Sequence, residues 1–246
     1  MDKENARAVL EKFCSFPINS SEEVLKTFAS LPRAVARLDG EKNNFVYLPG
    51  SREDRVVLLA HADTVWDAYY SPYICQQSLK RDNNLYYGAD GHCGIGADDR
   101  AGCAILWLLK ESGHSLLVVD GEEHGRIGSN YLRVKYPEIF NELNNHAYMI
   151  QFDRREHKNY KVYNLPVSDE FLAFIEENTG FKNAGKLSFT DIVTLCRDIC
   201  GVNLSIGYYN EHTPYESLNF EEWYETLEIA QKLLAKKQKR YPLEEF

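Results

Sequence analysis

Val56-Val57-Leu58-Leu59-Ala60-His61-Ala62-Asp63 decides the fold. Five apolar residues in a row suit a strand buried on both faces, as in a parallel sheet. The run then stops on an imidazole and a carboxylate. The pattern recurs along the chain. Ser115–Val119 is followed by Asp120-Gly121-Glu122-Glu123-His124-Gly125, and Ala147–Phe152 by Asp153-Arg154. Val202–Ile206 leads into Tyr208-Tyr209-Asn210-Glu211-His212-Thr213-Pro214. Asn43–Leu48 reads as one more strand. Helical patterns lie between and around these runs: up to about Leu31, over Asp98–Ser112, in part over Ile127–Leu143, near Ser168–Glu177 and Asp191–Cys200, and over Glu221–Arg240. Strands alternating with helices predict an α/β fold. The expectation is a single domain spanning 1–246, with a mixed, largely parallel sheet sandwiched by helices.

Composition agrees with that class. The chain has 246 residues, 44% hydrophobic and 26% charged, which excludes a wholly disordered chain. Its net charge of −9 argues against nucleic-acid binding. The basic run Lys236, Lys237, Lys239 and Arg240 is expected at the negative end of the last helix, not on a nucleic acid. No apolar run is long enough for a membrane span, and the N-terminus is polar, with no apolar segment behind it. A cytoplasmic protein is expected, with Cys14, Cys75, Cys93, Cys103, Cys196 and Cys200 as reduced thiols. The match Asn203-Leu204-Ser205 to a glycosylation acceptor then carries no meaning.

In open α/β sheets, ligands sit beyond the carboxyl ends of the strands. Almost every strand here delivers a histidine or carboxylate to that edge. Like charges gathered together need a counter-charge, and a divalent metal supplies one. Imidazole nitrogen and carboxylate oxygen suit zinc foremost, with cobalt or manganese compatible. Two metals sharing one carboxylate need about five ligands and a water. His61, Asp98, Glu123, Asp153 and His212 provide that number. Asp63 is placed to orient His61, and in Glu122-Glu123 one carboxylate can bind metal while its neighbour moves protons. The segment Gly91-x-x-Gly94-x-Gly96 reads as a tight turn. As a phosphate cradle it would meet repulsion from Asp98 and Asp99.

His61-x-Asp63, Gly96-Ala97-Asp98-Asp99-Arg100-Ala101-Gly102, Glu122-Glu123-x-Gly125-x-x-Gly128-Ser129, Asp153 and His212-Thr213-Pro214 together resemble the co-catalytic di-zinc exopeptidases. That family includes bacterial leucyl aminopeptidase, glutamyl aminopeptidase, peptidase T and acetylornithine-type deacylases. The motifs keep the family's order across most of the chain. The resemblance implies that His61 and Asp153 hold one metal, Glu123 and His212 the other, and that Asp98 bridges both. Asp63 would orient His61, and Glu122 would be the general base on a metal-bridging water. A cis peptide between Asp98 and Asp99 is also implied. Only 37 residues separate His61 from Asp98, and 59 separate Asp153 from His212. Neither interval has room for an inserted lid or dimerisation domain of ~100 residues.

An aminopeptidase acting on peptides is the expectation. An N-acyl amino-acid deacylase or a carboxypeptidase on the same scaffold is the alternative, and a metal-free binding module is a remoter one. Oligomeric state is not legible. Ser188-Phe189-Thr190-Asp191 either lines the substrate pocket or caps a helix. Tyr208, Tyr209 and Tyr215 bracket His212 as packing or as an aromatic wall. Arg100 and Arg154 are expected to pair with the acidic cluster, with recognition of a substrate carboxylate as their other use. His92, His114, His124, His146 and His157 match no ligand position.

Overall fold

The computed structural model describes residues 2–39, 42–68, 78–89, 91–185 and 188–244. Cys75 and the tyrosines Tyr69, Tyr70 and Tyr73 lie outside them. The N-terminal helical segment is two helices, α1 (Lys3–Cys14) and α2 (Glu22–Ala29), with Pro17 between them. Strands β1 (Val35–Arg37), β2 (Phe45–Leu48) and β3 (Val57–His61) follow. A hairpin of β4 (Leu79–Asp82) and β5 (Leu85–Gly88) precedes α3 (Ala97–Leu108) and β6 (Ser115–Val119). The next helical stretch breaks into α4 (Ile127–Lys135) and α5 (Pro137–Leu143). Pro137 takes the first helical position of α5, where no N–H is needed, and it disfavours helix at Tyr136. The chain continues through β7 (Met149–Arg154), β8 (Asn159–Lys161), α6 (Asp169–Thr179), β9 (Lys182–Asn183) and α7 (Asp191–Leu195). It closes with β10 (Gly201–Ser205), β11 (Tyr208–Tyr209), β12 (Ser217–Asn219) and α8 (Phe220–Leu234).

Eight strands form the main sheet in the order β1-β2-β6-β3-β7-β10-β8-β9. Its centre, β6-β3-β7-β10, is parallel throughout, while β1, β2 and β8 join antiparallel. The central strands are buried residue by residue, and alternate side chains enter different cores. Leu58, Ala60, Leu116, Val118, Ile150 and Phe152 face one cluster with α1, α3, α6 and α8. Val57, Leu59, Leu117, Val119 and Met149 face the other, with α4, α5 and α7. The expected mixed, largely parallel sheet between two helical layers is what forms.

Several local readings are corrected. The helix expected over Asp191–Cys200 stops at Leu195, and α8 stops at Leu234 rather than near Arg240. Buried Gln238 ends α8 by donating its side-chain amide to the carbonyls of Leu233 and Lys236. The basic run therefore lies beyond the helix. Lys239 pairs with Glu170, and Arg240 donates to the carbonyls of His146 and Asn144. A second sheet, β11-β12-β5-β4, was not foreseen. Its strands are only two to four residues long, with no apolar run to betray them. The five described cysteines are buried and unbridged, and Asn203 is wholly buried. Among the described residues, no helix is long and apolar enough to cross a membrane.

At the amino-terminal edge of the strands lies His146, buried between β6 and α5. Its Nδ1–H donates to the Glu142 carbonyl at 2.8 Å, so Nε2 accepts from the Ser115 hydroxyl at 2.7 Å and Arg55 Nε at 3.1 Å. Burial, with Arg55 beside it, pushes the imidazole pKa down to about 4. An unfolded chain protonates this histidine below about 6.5, whereas the folded chain does so only near 4. Stability is thus lost as pH falls through that window, by up to about 3 kcal/mol from this group. Urea unfolding at pH 7 and pH 4.5 should show the drop, and His146→Gln should show a smaller one. An unchanged drop in the variant would rule out this histidine as its source.

Candidate metal centre

Parallel strands present their carboxyl ends at one edge, and the predicted residues meet there. His61 is the last residue of β3, Glu122 and Glu123 follow β6, and Asp153 stands near the end of β7. Asp98 starts α3, and His212 lies in the loop between β11 and β12 with φ 62°. All five presumed ligands and Glu122 are brought together. His61 Nε2 lies 3.2 Å from Asp98 Oδ1 and 3.3 Å from Asp153 Oδ1. His212 Nε2 lies 3.1 Å from Asp98 Oδ2 and 2.8 Å from Glu123 Oε1. The two oxygens of Asp98 therefore face two different histidines, each with its own second carboxylate.

Two observations bear on whether a metal fits. His61, Asp98 and Glu123 offer ligand atoms within 4.8 Å of one another. Glu123 Oε1 is buried and close to His212 Nε2, yet accepts no hydrogen bond of good geometry. Glu123 thus keeps a buried oxygen that no donor of the described residues satisfies. The donor set, two imidazoles and three carboxylates, suits zinc, cobalt or manganese. His61, Asp99 and Asp153 also come close. Asp99, however, is spent on the backbone, accepting the N–H groups of His61 at 3.1 Å and Gly102 at 2.9 Å.

The electrostatics follow from burial. Burial opposes ionisation of Asp98, but hydrogen bonds from His212 and His61 more than offset it and hold its carboxyl low. The same bond to Asp98, with the Glu123 carboxylate close by, lifts His212 to about 11. Burial pushes Asp153 up to about 7 against the pull of His61. Glu122 is raised well above the usual carboxylate range, by burial first and then by Asp191, Asp153 and Glu123.

Supporting residues escaped the sequence reading. Glu216 accepts the N–H groups of Gly96 at 2.7 Å and Asp98 at 3.0 Å. The glycine turn thus cradles an acidic group after all, the Glu216 carboxyl of its own chain, whose pKa burial pushes up to about 8. A Cβ on Gly94 would stand 2.3 Å from that carboxylate, and one on Gly102 would stand 2.0 Å from the Phe152 carbonyl. Glu216 follows His212-Thr213-Pro214 by two residues, a signal the spacing could have supplied. The Asp98–Asp99 peptide is cis. Asp63 does more than face His61. His61 Nδ1 is 3.1 Å from the Asp63 carbonyl and 3.3 Å from its carboxylate. That carboxylate also accepts the N–H groups of Glu122 and Glu123, tying their turn to β3. Asp153 is held by Thr190, Gln151 and Asn203.

Other candidates divide. A cleft of about 360 Å³ is lined by Asp98, Glu122, Glu123, Asp153 and His212, together with Phe189, Thr190 and Tyr208. Asp191 is wholly buried, accepting from Ser129 at 2.6 Å, while Tyr209 turns to Glu222. Tyr215 is 81% exposed. Arg100 does not join the acidic cluster. It is buried and donates to the carbonyls of Pro17 and Ser20. Arg154 lines the cleft but pairs with Asn159 and Glu156. His124, which matches no ligand position, lies within 3.6 Å of Asp63.

Solved structures share this architecture. The aminopeptidase PepT from Bacillus cereus superposes with a TM-score of 0.69 at 13% identity, over 96% of this chain and 98% of that one. A tripeptidase from Staphylococcus aureus gives 0.69 at 14% identity, again over 96% and 98%. An aminopeptidase from the archaeon Desulfurococcus kamchatkensis gives 0.64 at 12% identity, over 96% of each chain. No family model matches the chain, and no curated protein matches it in sequence. At these identities the likeness is one of fold.

Glu216→Gln replaces an acceptor with a donor that faces the N–H of Gly96 or Asp98. Leaving a buried donor unsatisfied costs about 1–3 kcal/mol. Chemical denaturation should register that loss. A change below about 0.5 kcal/mol, the range of neutral surface substitutions, would mean that the carboxylate does not hold the turn.

Proposed function

We propose that the chain is a di-metal exopeptidase that removes residues from the amino end of peptides. The observation that carries this reading is Asp98, whose two oxygens each face a different histidine–carboxylate pair. Structural relatives described as aminopeptidases and a tripeptidase support the peptide substrate and the amino end.

His61 and Asp153 would hold one divalent ion, Glu123 and His212 the second, and Asp98 both. Such ions would supply Lewis-acid polarisation of the scissile carbonyl and a more acidic water. The remaining chemistry belongs to side chains. Asp63, held by the turn at Glu122 and Glu123, fixes the ring of His61 and the direction of both glutamates. Glu122 takes a proton from the attacking water and returns it to the leaving amine. Its buried, carboxylate-rich surroundings raise its proton affinity. Tyr208 packs against the site and donates to the Asp153 carbonyl at 3.1 Å, stiffening the end of β7.

Glu122→Ala should abolish turnover while leaving metal bound. Retention of more than a few per cent of activity would refute the assignment of the base. The reading as a whole is tested by mass spectrometry of a mixed peptide pool incubated with metal-loaded protein, with Glu122→Ala as the blank. Stepwise loss from the amino end is expected, stopped by a chelator and restored by zinc, cobalt or manganese. Loss from the carboxyl end, or removal of an acyl cap alone, would make the chain a carboxypeptidase or a deacylase. An unchanged pool would overturn the peptidase reading.

A further inference from the structure

Of the five residues that would hold the two ions, four are fixed by the scaffold around them. His61 closes β3, paired in register with Val119 of β6. Asp98 is anchored by Glu216, the turn of Glu123 by Asp63, and Asp153 by Thr190, Gln151 and Asn203. His212 differs. It sits in the loop between β11 and β12 with its side chain 46% exposed. Both it and Asn210 are in the left-handed region, at φ 62° and 56°. A metal-bound imidazole usually donates its second nitrogen to a carbonyl or carboxylate, which fixes the ring. Among the described residues, His212 finds hydrogen-bond or ion-pair partners only through Nε2. The place of its ring is therefore set by the loop backbone.

That backbone is braced from outside beside the histidine. Thr213 Oγ1 donates to the Asn210 carbonyl at 2.7 Å, which only closes the turn on itself. Glu211, the residue before His212, instead reaches out of the loop to Arg155, whose Nη1 donates to its Oε1 at 2.6 Å. Arg155 stands two residues after Asp153, directly beyond the end of β7. The two segments already run together there. The N–H of Glu156 donates to the Tyr208 carbonyl, and that of Gly207 to the Glu156 carbonyl, each at 2.8 Å. The ion pair carries this contact past β11 to the neighbour of the histidine. It joins the segment bearing Asp153 to the loop bearing His212, and both of its partners line the cleft. Glu211 is only 19% exposed, so the bond is less open to solvent than a pair on the outer surface. We propose that Arg155 is a positioning residue: through Glu211 it sets His212, and thereby the affinity of the second ion, the one held by Glu123, His212 and Asp98. Charge alone predicts the opposite sign for loss of Arg155, since removing a cation near a metal site tightens metal binding. This inference rests on the di-metal reading.

The full chain, stripped with a chelator, is titrated with zinc by competition calorimetry, which separates the two binding steps. Arg155→Gln and Glu211→Gln should each weaken the second step about tenfold, the low end for a group that orients a metal ligand. The first step should stay within about twofold. The double variant should be no weaker than either single one, because both break the same bond. Arg155→Lys, which keeps a cation within reach of Glu211, should recover most of the loss. Peptide hydrolysis by the Gln variants should need a correspondingly higher zinc concentration. Unchanged or tighter binding in Arg155→Gln, or equal weakening of both steps, overturns the clamp. Two-step binding with the expected losses, but with no peptide hydrolysed, overturns the peptidase reading alone. Uptake of a single ion, or of none, overturns the di-metal reading and the clamp with it.

Discussion

Everything at the carboxyl edge of the sheet is arranged around one side chain that must face two ways. Asp98 can set one oxygen toward His61 and the other toward His212 only if its backbone is fixed independently of both. Glu216 does the fixing from the segment after His212, by accepting the N–H groups of Gly96 and Asp98. Gly94 leaves space for that carboxylate, Gly96 takes a left-handed φ of 62°, and Gly102 lets α3 lie against β7. The glycines therefore serve one carboxylate through another. The β10–β12 region and the start of α3 are tied together before any ligand is considered.

The acidic groups around this point divide by what surrounds them. Asp63 and Asp99 spend their oxygens on backbone N–H groups and so hold shape. Asp98, Glu123 and Asp153 turn toward imidazoles and one another. Glu122 meets neither a cation nor a backbone donor strong enough to offset burial, and its proton affinity rises accordingly. Neighbours in sequence thus differ in role because their partners differ. Asp98 and Asp99 make the point, as do Glu122 and Glu123.

The sequence made the central sheet legible because β3 and β6 carry unbroken apolar runs, while β7 up to Phe152 and β10 are interrupted only by Gln151, Asn203 and Ser205, all buried. Their carboxyl ends could be located, and with them His61, Glu122, Glu123 and Asp153. The small sheet was not legible, since β4, β5, β11 and β12 are short, partly exposed and polar. Helix ends were misjudged where tertiary contacts decide them, as Gln238 does for α8. Arg100 shows the limit of reasoning from charge: next to two aspartates in sequence, it turns to the carbonyls of the α1–α2 connection. Of the cations that line the cleft, Arg154 alone was visible. Lys161 joins it because β8 folds back beside β10, which no local pattern announces.

His146, Arg55, Ser115 and the backbone bond from Tyr241 to Ala147 all lie at the amino-terminal edge of the strands. The histidine–carboxylate cluster lies at the other. A parallel sheet separates these edges by the length of its strands. Thermal tolerance and acid tolerance can therefore be tuned by substitution at one edge without disturbing chemistry at the other. A lineage adapting to a new acidity would be expected to accumulate its changes around His146, while one altering the cleft would change residues at the carboxyl edge. The two histories could proceed in the same gene with little interference.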